Sequence, residues 1–304
     1  MEKRNIFLGL LVLGTAFWGI SFSVTKLAIG ENQSALFLFY RFLLATIVLS
    51  VVFWKYVKSL DLNSIKTGAR LALPLALGIY LQTLGITHTS ASQCSFVAGI
   101  TVVIIPVLKL IIYRKPAPLK IWIAAFTALA GLFVISIKEN FSIGTGDLYT
   151  ITGAFCFAVY LIQIEKESKN RDIISTIVPM FATCSILAFL LTLSQENIIW
   201  IPQQNPFWTG IIFCALFSTA FMYTISNISQ KYISAERVSI IYLFEPVFGA
   251  IAAHFILGEA ISSRLLVGGA LIFTATLVSE LKLKWQIPNV ISLLRISKKK
   301  EHCR

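Results

Sequence analysis

Runs of about 20 mostly apolar residues, the length that crosses a bilayer's hydrocarbon core as a helix, recur along this chain between short polar stretches. In lipid every backbone N–H and C=O must be bonded internally, so runs of this kind fold as helices. The spans read as Ile6–Ala28, Ala35–Trp54, Ala69–Ile86, Ala91–Tyr113, Leu119–Ile137, Asp147–Ile164, Ile174–Leu193, Phe207–Ile228, Ala235–Leu257 and Leu265–Leu283. Only 13% of the 304 residues are charged and mean hydropathy is +0.80, against roughly a quarter charged in soluble domains. The expected fold class is an all-α integral membrane protein with ten transmembrane helices. The first run follows Lys3 and Arg4 as a signal peptide would. It is longer than a typical signal core and no small-x-small cleavage site follows, so it reads as a retained helix.

The net charge of +12 raises the question of nucleic acid. Its basic residues lie in loops between apolar spans and not on a folded basic face, so no nucleic-acid partner is expected. With the N-terminus inside, twenty-one Lys and Arg fall on the inner side and only Lys26, Lys138 and Arg264 on the outer, while Arg41 and Lys109 fall within spans. Basic residues concentrate in cytoplasmic loops. Both termini are therefore expected in the cytoplasm and the chain in the bacterial inner membrane. Lys109, near the inner end of its span, is expected to snorkel toward water. The tail 285–304, with apolar residues before Lys298-Lys299-Lys300, reads either as an interfacial helix on anionic lipid or as a disordered basic segment.

The sequence also repeats. Ala16-Phe17-Trp18 matches Ala154-Phe155-Cys156 at an offset of 138, and Ile105-Pro106-Val107 matches Glu245-Pro246-Val247 at 140. The consistent offset divides the chain into residues 1–140 and 141–284, five spans each, followed by the tail 285–304. Five is odd, so the second half would sit upside down in the membrane, the inverted repeat of many secondary transporters. Pro106 and Pro246 would kink equivalent helices, since a mid-span proline removes a backbone hydrogen bond.

The stretch Gly14-Thr15-Ala16-Phe17-Trp18-Gly19 through Lys26, then Tyr40-Arg41-Phe42, Thr89-Ser90-Ala91-Ser92 through Pro106, Gly146-Asp147-Leu148, Glu245-Pro246-Val247 and Leu257-Gly258-Glu259 resemble the EamA family of the drug/metabolite transporter superfamily. The likeness covers most of residues 6–282. It implies ten helices in inverted halves and transport of small metabolites, most often export of amino acids or related compounds. Where the family often repeats Gly-Glu after the helix-four proline, this chain has Arg114-Lys115-Pro116-Ala117-Pro118.

An ionisable side chain within a span is costly and usually faces a cavity or a partner. Glu245 lies about ten residues into the ninth span, roughly 15 Å deep. It is expected either to meet a cationic substrate group or a transported proton, or to pair with Arg41. Trp18, Ser21, Tyr80, Gln82, Gln93, Thr101, Tyr160, Gln163, Tyr223, Asn227 and Tyr242 could line a polar, aromatic cavity, or could bond between helices. Tyr223 and Asn227 share a helical face, as do Tyr242 and Glu245. Gly249 and Ala253 would let a helix pack closely, within the chain or in a homodimer.

The function expected is alternating-access transport of small polar or aromatic metabolites, with or without proton coupling, by a monomer or homodimer. An uptake carrier or exchanger for nucleotide-like or cationic metabolites is the alternative. Gly144-Thr145-Gly146-Asp147 fits an intramembrane aspartyl protease motif, but no second Asp sits within a span to share a proton with Asp147. Neither a phosphate-binding glycine loop nor a His-Glu-x-x-His string occurs. The five cysteines show no metal-ligand spacing, and no cofactor is expected.

Overall fold

A computed structural model of the chain describes residues 2–29, 33–89, 94, 97–114, 116–136, 144–170, 172–195, 198–257 and 263–280. Gln93, residues 140–143 of the expected boundary and the tail 285–304 lie outside the described residues. All regular structure among the described residues is helical. In chain order it runs α1 (Glu2–Ala28), α2 (Ser34–Val52), short α3 (Trp54–Lys58), α4 (Leu62–His88), α5 (Thr101–Tyr113) and α6 (Leu119–Ser136). It continues with α7 (Thr145–Asn170), α8 (Ile174–Leu193), α9 (Asn205–Ser229), α10 (Ala235–Tyr242), α11 (Glu245–Leu257) and α12 (Ser263–Glu280). Six of these, α1, α2, α4, α7, α8 and α9, are long and apolar enough to cross a membrane. Helices α5, α6 and α12 are shorter and apolar.

Helices α4 and α7 overrun their apolar windows. At the start of α4, the Asp61 carboxylate accepts the Ser64 N–H at 3.1 Å, which satisfies a donor the helix itself leaves open. The Ser64 side chain first, and this N–H second, hold the Asp61 carboxyl below its usual range. The cap lets the helix begin in the polar stretch before Ala69, where Lys66 and Arg70 reach water. At the start of α7, Asp147 likewise accepts the Gly144 N–H at 2.8 Å.

Two helices depart from regularity. Within α9, Cys214–Phe221 forms a π-helix, a form that recurs at functional sites. The ninth span, expected as one helix, is two. Pro246 has no N–H to bond the Tyr242 carbonyl four residues back, and its ring crowds that group. The chain tightens instead: Leu243 N–H bonds Ile240 O at 3.2 Å and Phe244 N–H bonds Ile241 O at 3.0 Å. Helix α11 then starts afresh at Glu245. Pro106, its expected counterpart, stays inside the continuous α5, and Pro74 and Pro179 are likewise accommodated inside α4 and α8.

The helices pair as α6 with α12, α4 with α7 and α8, α2 with α8, and α1 with α11. Large side chains such as Phe37, Phe42, Phe181 and Phe207 are buried, whereas Phe126, Phe133, Leu190 and Phe273 stay exposed on the outside of the bundle. Lipid tails are as apolar as those side chains, so close approach of small residues contributes where greasiness cannot. Gly19 of α1 abuts the start of α11: a Cβ there would sit 2.6 Å from both Glu245 O and Gly249 N. Gly249 therefore serves a contact within the chain.

Candidate functional site: a central aromatic cavity

Tyr223, just past the π-helix of α9, and the broken pair α10–α11 face one cavity with α1, α2, α4, α5 and α7. It holds about 940 Å³ of empty space, its mouth included. Thr25, Ile86 and Thr150 line it near the ends of their helices and Gly99 just before α5, and Trp18, Gly78 and Phe157 lie deeper. Trp18 is ten residues from the end of α1 and Phe157 twelve from the start of α7, so the floor is roughly 15–18 Å down at 1.5 Å per residue.

Four rings form that floor. Trp18 meets Tyr242 edge-on at 4.7 Å between centroids, Tyr223 at 5.3 Å and Phe157 at 6.0 Å. Phe157 in turn meets Tyr242 at 6.1 Å. The indole N–H of Trp18 donates to Ser218 O at 2.7 Å, within the π-helix. The Tyr242 hydroxyl is hydrogen-bonded to Ser226. Trp18 and Tyr242 thus have their polar ends tied down.

Two charged residues line the same space. Arg41 Nε donates to Thr219 Oγ1 at 2.7 Å and its Nη2 to Ser218 Oγ at 3.1 Å. A guanidinium carries five N–H donors, so three stay available. The expected direct ion pair between Arg41 and Glu245 is not formed, because the π-helix hydroxyls take the guanidinium instead. Among the described residues no side chain bonds the Glu245 carboxylate. It sits in the first turn of α11, where the helix dipole favours negative charge, and lines the cavity beside Pro246.

Of the other expected residues, Trp18, Ser21, Gln82, Thr101, Tyr223 and Tyr242 line the cavity. Tyr160 and Asn227 do not. They are fully buried behind Tyr223, with the Tyr160 hydroxyl donating to Asn227 Oδ1 at 2.5 Å and Asn227 Nδ2 reaching Met180 Sδ at 3.9 Å. Tyr80 is half-buried beside the lining residue Ile79 and does not line the cavity itself. Phe157, Thr150 and Ser239, which do line it, carried no sequence signal: a phenylalanine or hydroxyl in a span reads as ordinary packing.

Lys109 does not snorkel. It is paired with Glu165 and, at 2.9 Å, with Glu236. Glu165 also accepts from Lys169 at 2.6 Å and from the Ala235 N–H at 3.0 Å.

The EamA-like transporter family model matches residues 5–137 and again 144–280. The chain belongs to the EamA-like transporter family. It is a multi-pass membrane transporter. An uncharacterized transporter of Archaeoglobus fulgidus is 23% identical over 276 residues, covering 90% of this chain and 85% of the relative. The uncharacterized transporter YyaM of Bacillus subtilis is 25% identical over 295 residues, covering 92% and 95%. A solved crystal structure covers 92% of the transporter and 97% of its own chain, with a TM-score of 0.74 at 13% identity; that likeness speaks to the fold.

Proposed function

We propose that this transporter is a secondary active carrier that exports small zwitterionic metabolites, amino acids or their aromatic relatives, by alternating access. The observation that carries the reading is the cavity itself. An unpartnered carboxylate at Glu245 and the spare N–H groups of Arg41 face one space floored by Trp18, Phe157, Tyr223 and Tyr242. The carboxylate suits an ammonium, the guanidinium suits a carboxylate, and the rings suit an apolar or aromatic side chain. A helix broken at the cavity is how transporters present charge and backbone to a solute. Ten crossings in two inverted halves, with both termini cytoplasmic, complete the proposal. The two separate family matches and the inner-side excess of Lys and Arg support it.

Glu245 would also take up a proton when no solute ammonium is present, coupling export to the proton gradient. Purified protein in proteoliposomes should show saturable uptake and counterflow of labelled amino acids; non-saturating conductance would overturn the carrier reading. Glu245→Gln should abolish pH-driven accumulation while exchange persists, and an unchanged pH dependence in that variant would refute the coupling.

A second reading is exchange of a cationic metabolite. Arg41 is already bonded to Ser218 and Thr219, which leaves Glu245 as the charge with no side-chain partner among the described residues, in a cavity whose four rings favour cations. Arg41→Gln should weaken zwitterion transport and spare that of a cation.

A further inference from the structure

The cavity ends at the four rings, but the bundle continues past them. Toward the ends of α7 and α9, past their floor residues Phe157 and Tyr223, come further polar groups that no part of the site uses. Thr224 follows Tyr223 on α9, and Gln163 lies three residues past Tyr160 on α7. Gln230 closes the end of α9, fully buried. The Thr224 hydroxyl, the Gln163 carbonyl oxygen and both amide atoms of Gln230 are buried without a hydrogen-bond partner among the described residues. Such groups are normally satisfied, and each left unpaired is costly.

Past this layer the bundle is latched. Glu165 lies eight residues beyond Phe157 on α7, roughly 12 Å further from the cavity mouth. There Lys109 of α5 bridges Glu165 of α7 and Glu236 of α10. Glu165 also holds the Ala235 N–H at the start of α10, and Lys169 supplies the second positive charge. Arg70 of α4 pairs with Glu167 of α7 at 2.6 Å beside it. Two carboxylates and two ammonium groups balance, so the cluster is stable when assembled and strongly disfavoured if one partner is lost. Lys109 falls in the first family match, and Glu165 and Glu236 in the second.

We infer that the Lys109–Glu165–Glu236 cluster is the gate closing the transport path on the side opposite the cavity mouth. The layer of Gln163, Thr224 and Gln230 is then the stretch of path that becomes wet when the gate opens. The state described here is closed at this end and reaches toward the other. Breaking the cluster separates α5 from α7 and α10, and the unpaired amides gain water in exchange. The inference rests on the alternating-access reading and places the gate on its cytoplasmic side.

Accessibility of single cysteines tests it without any solute. In a background with Cys94, Cys156, Cys184, Cys214 and Cys303 replaced, Gln230→Cys reports the gated stretch and Ser21→Cys reports the cavity. A charged, membrane-impermeant maleimide is applied from either face, using right-side-out and inverted vesicles. With the gate intact, Gln230→Cys should react slowly. Lys109→Gln leaves two carboxylates facing each other, and should raise its labelling from the Lys109 face by roughly tenfold or more. Ser21→Cys labelling from the other face should fall, while Lys109→Arg should keep both rates near the parent's. Glu236→Gln, which retains the Lys109–Glu165 pair, should give an intermediate shift and serves if Lys109→Gln does not fold. A rise in both reporters would mean general loosening and would overturn the gate, as would a monodisperse Lys109→Gln protein labelled like its parent. Opposed shifts without solute flux in proteoliposomes would uphold the gate and sink the carrier reading. Flux with unshifted reporters would do the reverse.

Discussion

Replacing Gly19 with alanine adds one methyl group, and the structure says where it must go. The new Cβ would lie 2.6 Å from the Glu245 carbonyl oxygen, 2.6 Å from the Gly249 nitrogen and 3.0 Å from the Phe248 carbonyl carbon. Ordinary contact for such a carbon begins near 3.4 Å, so α1 and α11 must part by the better part of an ångström. All three obstructing atoms are backbone, so no rotamer change relieves them. Overpacking costs about 1–3 kcal/mol, and a rigid obstacle argues for the upper part of that range. Alanine's better helix propensity returns about 1 kcal/mol, leaving a net loss of roughly 2 kcal/mol. Gly9 on the same helix supplies the control, because a Cβ there meets nothing within 4 Å. Gly9→Ala should therefore leave stability unchanged or raise it slightly. Reversible unfolding in mixed SDS and mild detergent, followed by tryptophan fluorescence, measures both variants. Because α11 begins at Glu245, Gly19→Ala should also slow transport in whatever fraction stays folded. Equal stability of Gly19→Ala, Gly9→Ala and the parent would refute the close crossing and the placing of Glu245 that depends on it.

Asn227→Ala should destabilise the protein by about 1–3 kcal/mol, since it leaves the buried Tyr160 hydroxyl without its acceptor. Solute preference should not change, because neither residue lines the cavity; an altered preference would mean that the pair reaches the solute. Thr219→Val removes the acceptor of Arg41 Nε and should raise the KM for a zwitterion more than for a cation, measured by initial rates in proteoliposomes. The Asp61 carboxyl is held below its usual value, so the stability it lends is full above that value and lost as the pH falls through the lowered one. Asp61→Ala should melt at a lower temperature than the parent at neutral pH and converge with it in acid; a constant gap down to low pH would show that the cap does not depend on the charge.

Residues chosen for being polar within apolar spans divided sharply once packed. Trp18, Ser21, Gln82, Tyr223, Tyr242 and Glu245 came together, whereas Tyr160 and Asn227 turned to each other. Helical spacing set Tyr223 and Asn227 on one face, but that face spans both the cavity and the layer behind it. Tyr242 and Glu245 were matched by the same spacing, and the helix breaks between them, yet both line the cavity. Lys109 looked like a residue that escapes to water because its partners, Glu165 and Glu236, lie 56 and 127 residues away. No local pattern announces a contact at such separations.

Span length, apolar content and Lys/Arg alternation act over a single helix or loop, and so the sequence alone determined that this chain is helical, crosses a membrane repeatedly and carries an acidic residue at depth. The family resemblance was legible for the same reason, in short strings such as Glu245-Pro246-Val247. Only the tertiary structure decided what those strings do. The π-helix that binds Arg41 and Trp18 and the Lys109–Glu165–Glu236 ion cluster both depend on side chains that separate helices bring together. A buried charge must be answered by whichever group the fold brings near, and that choice belongs to the packed bundle.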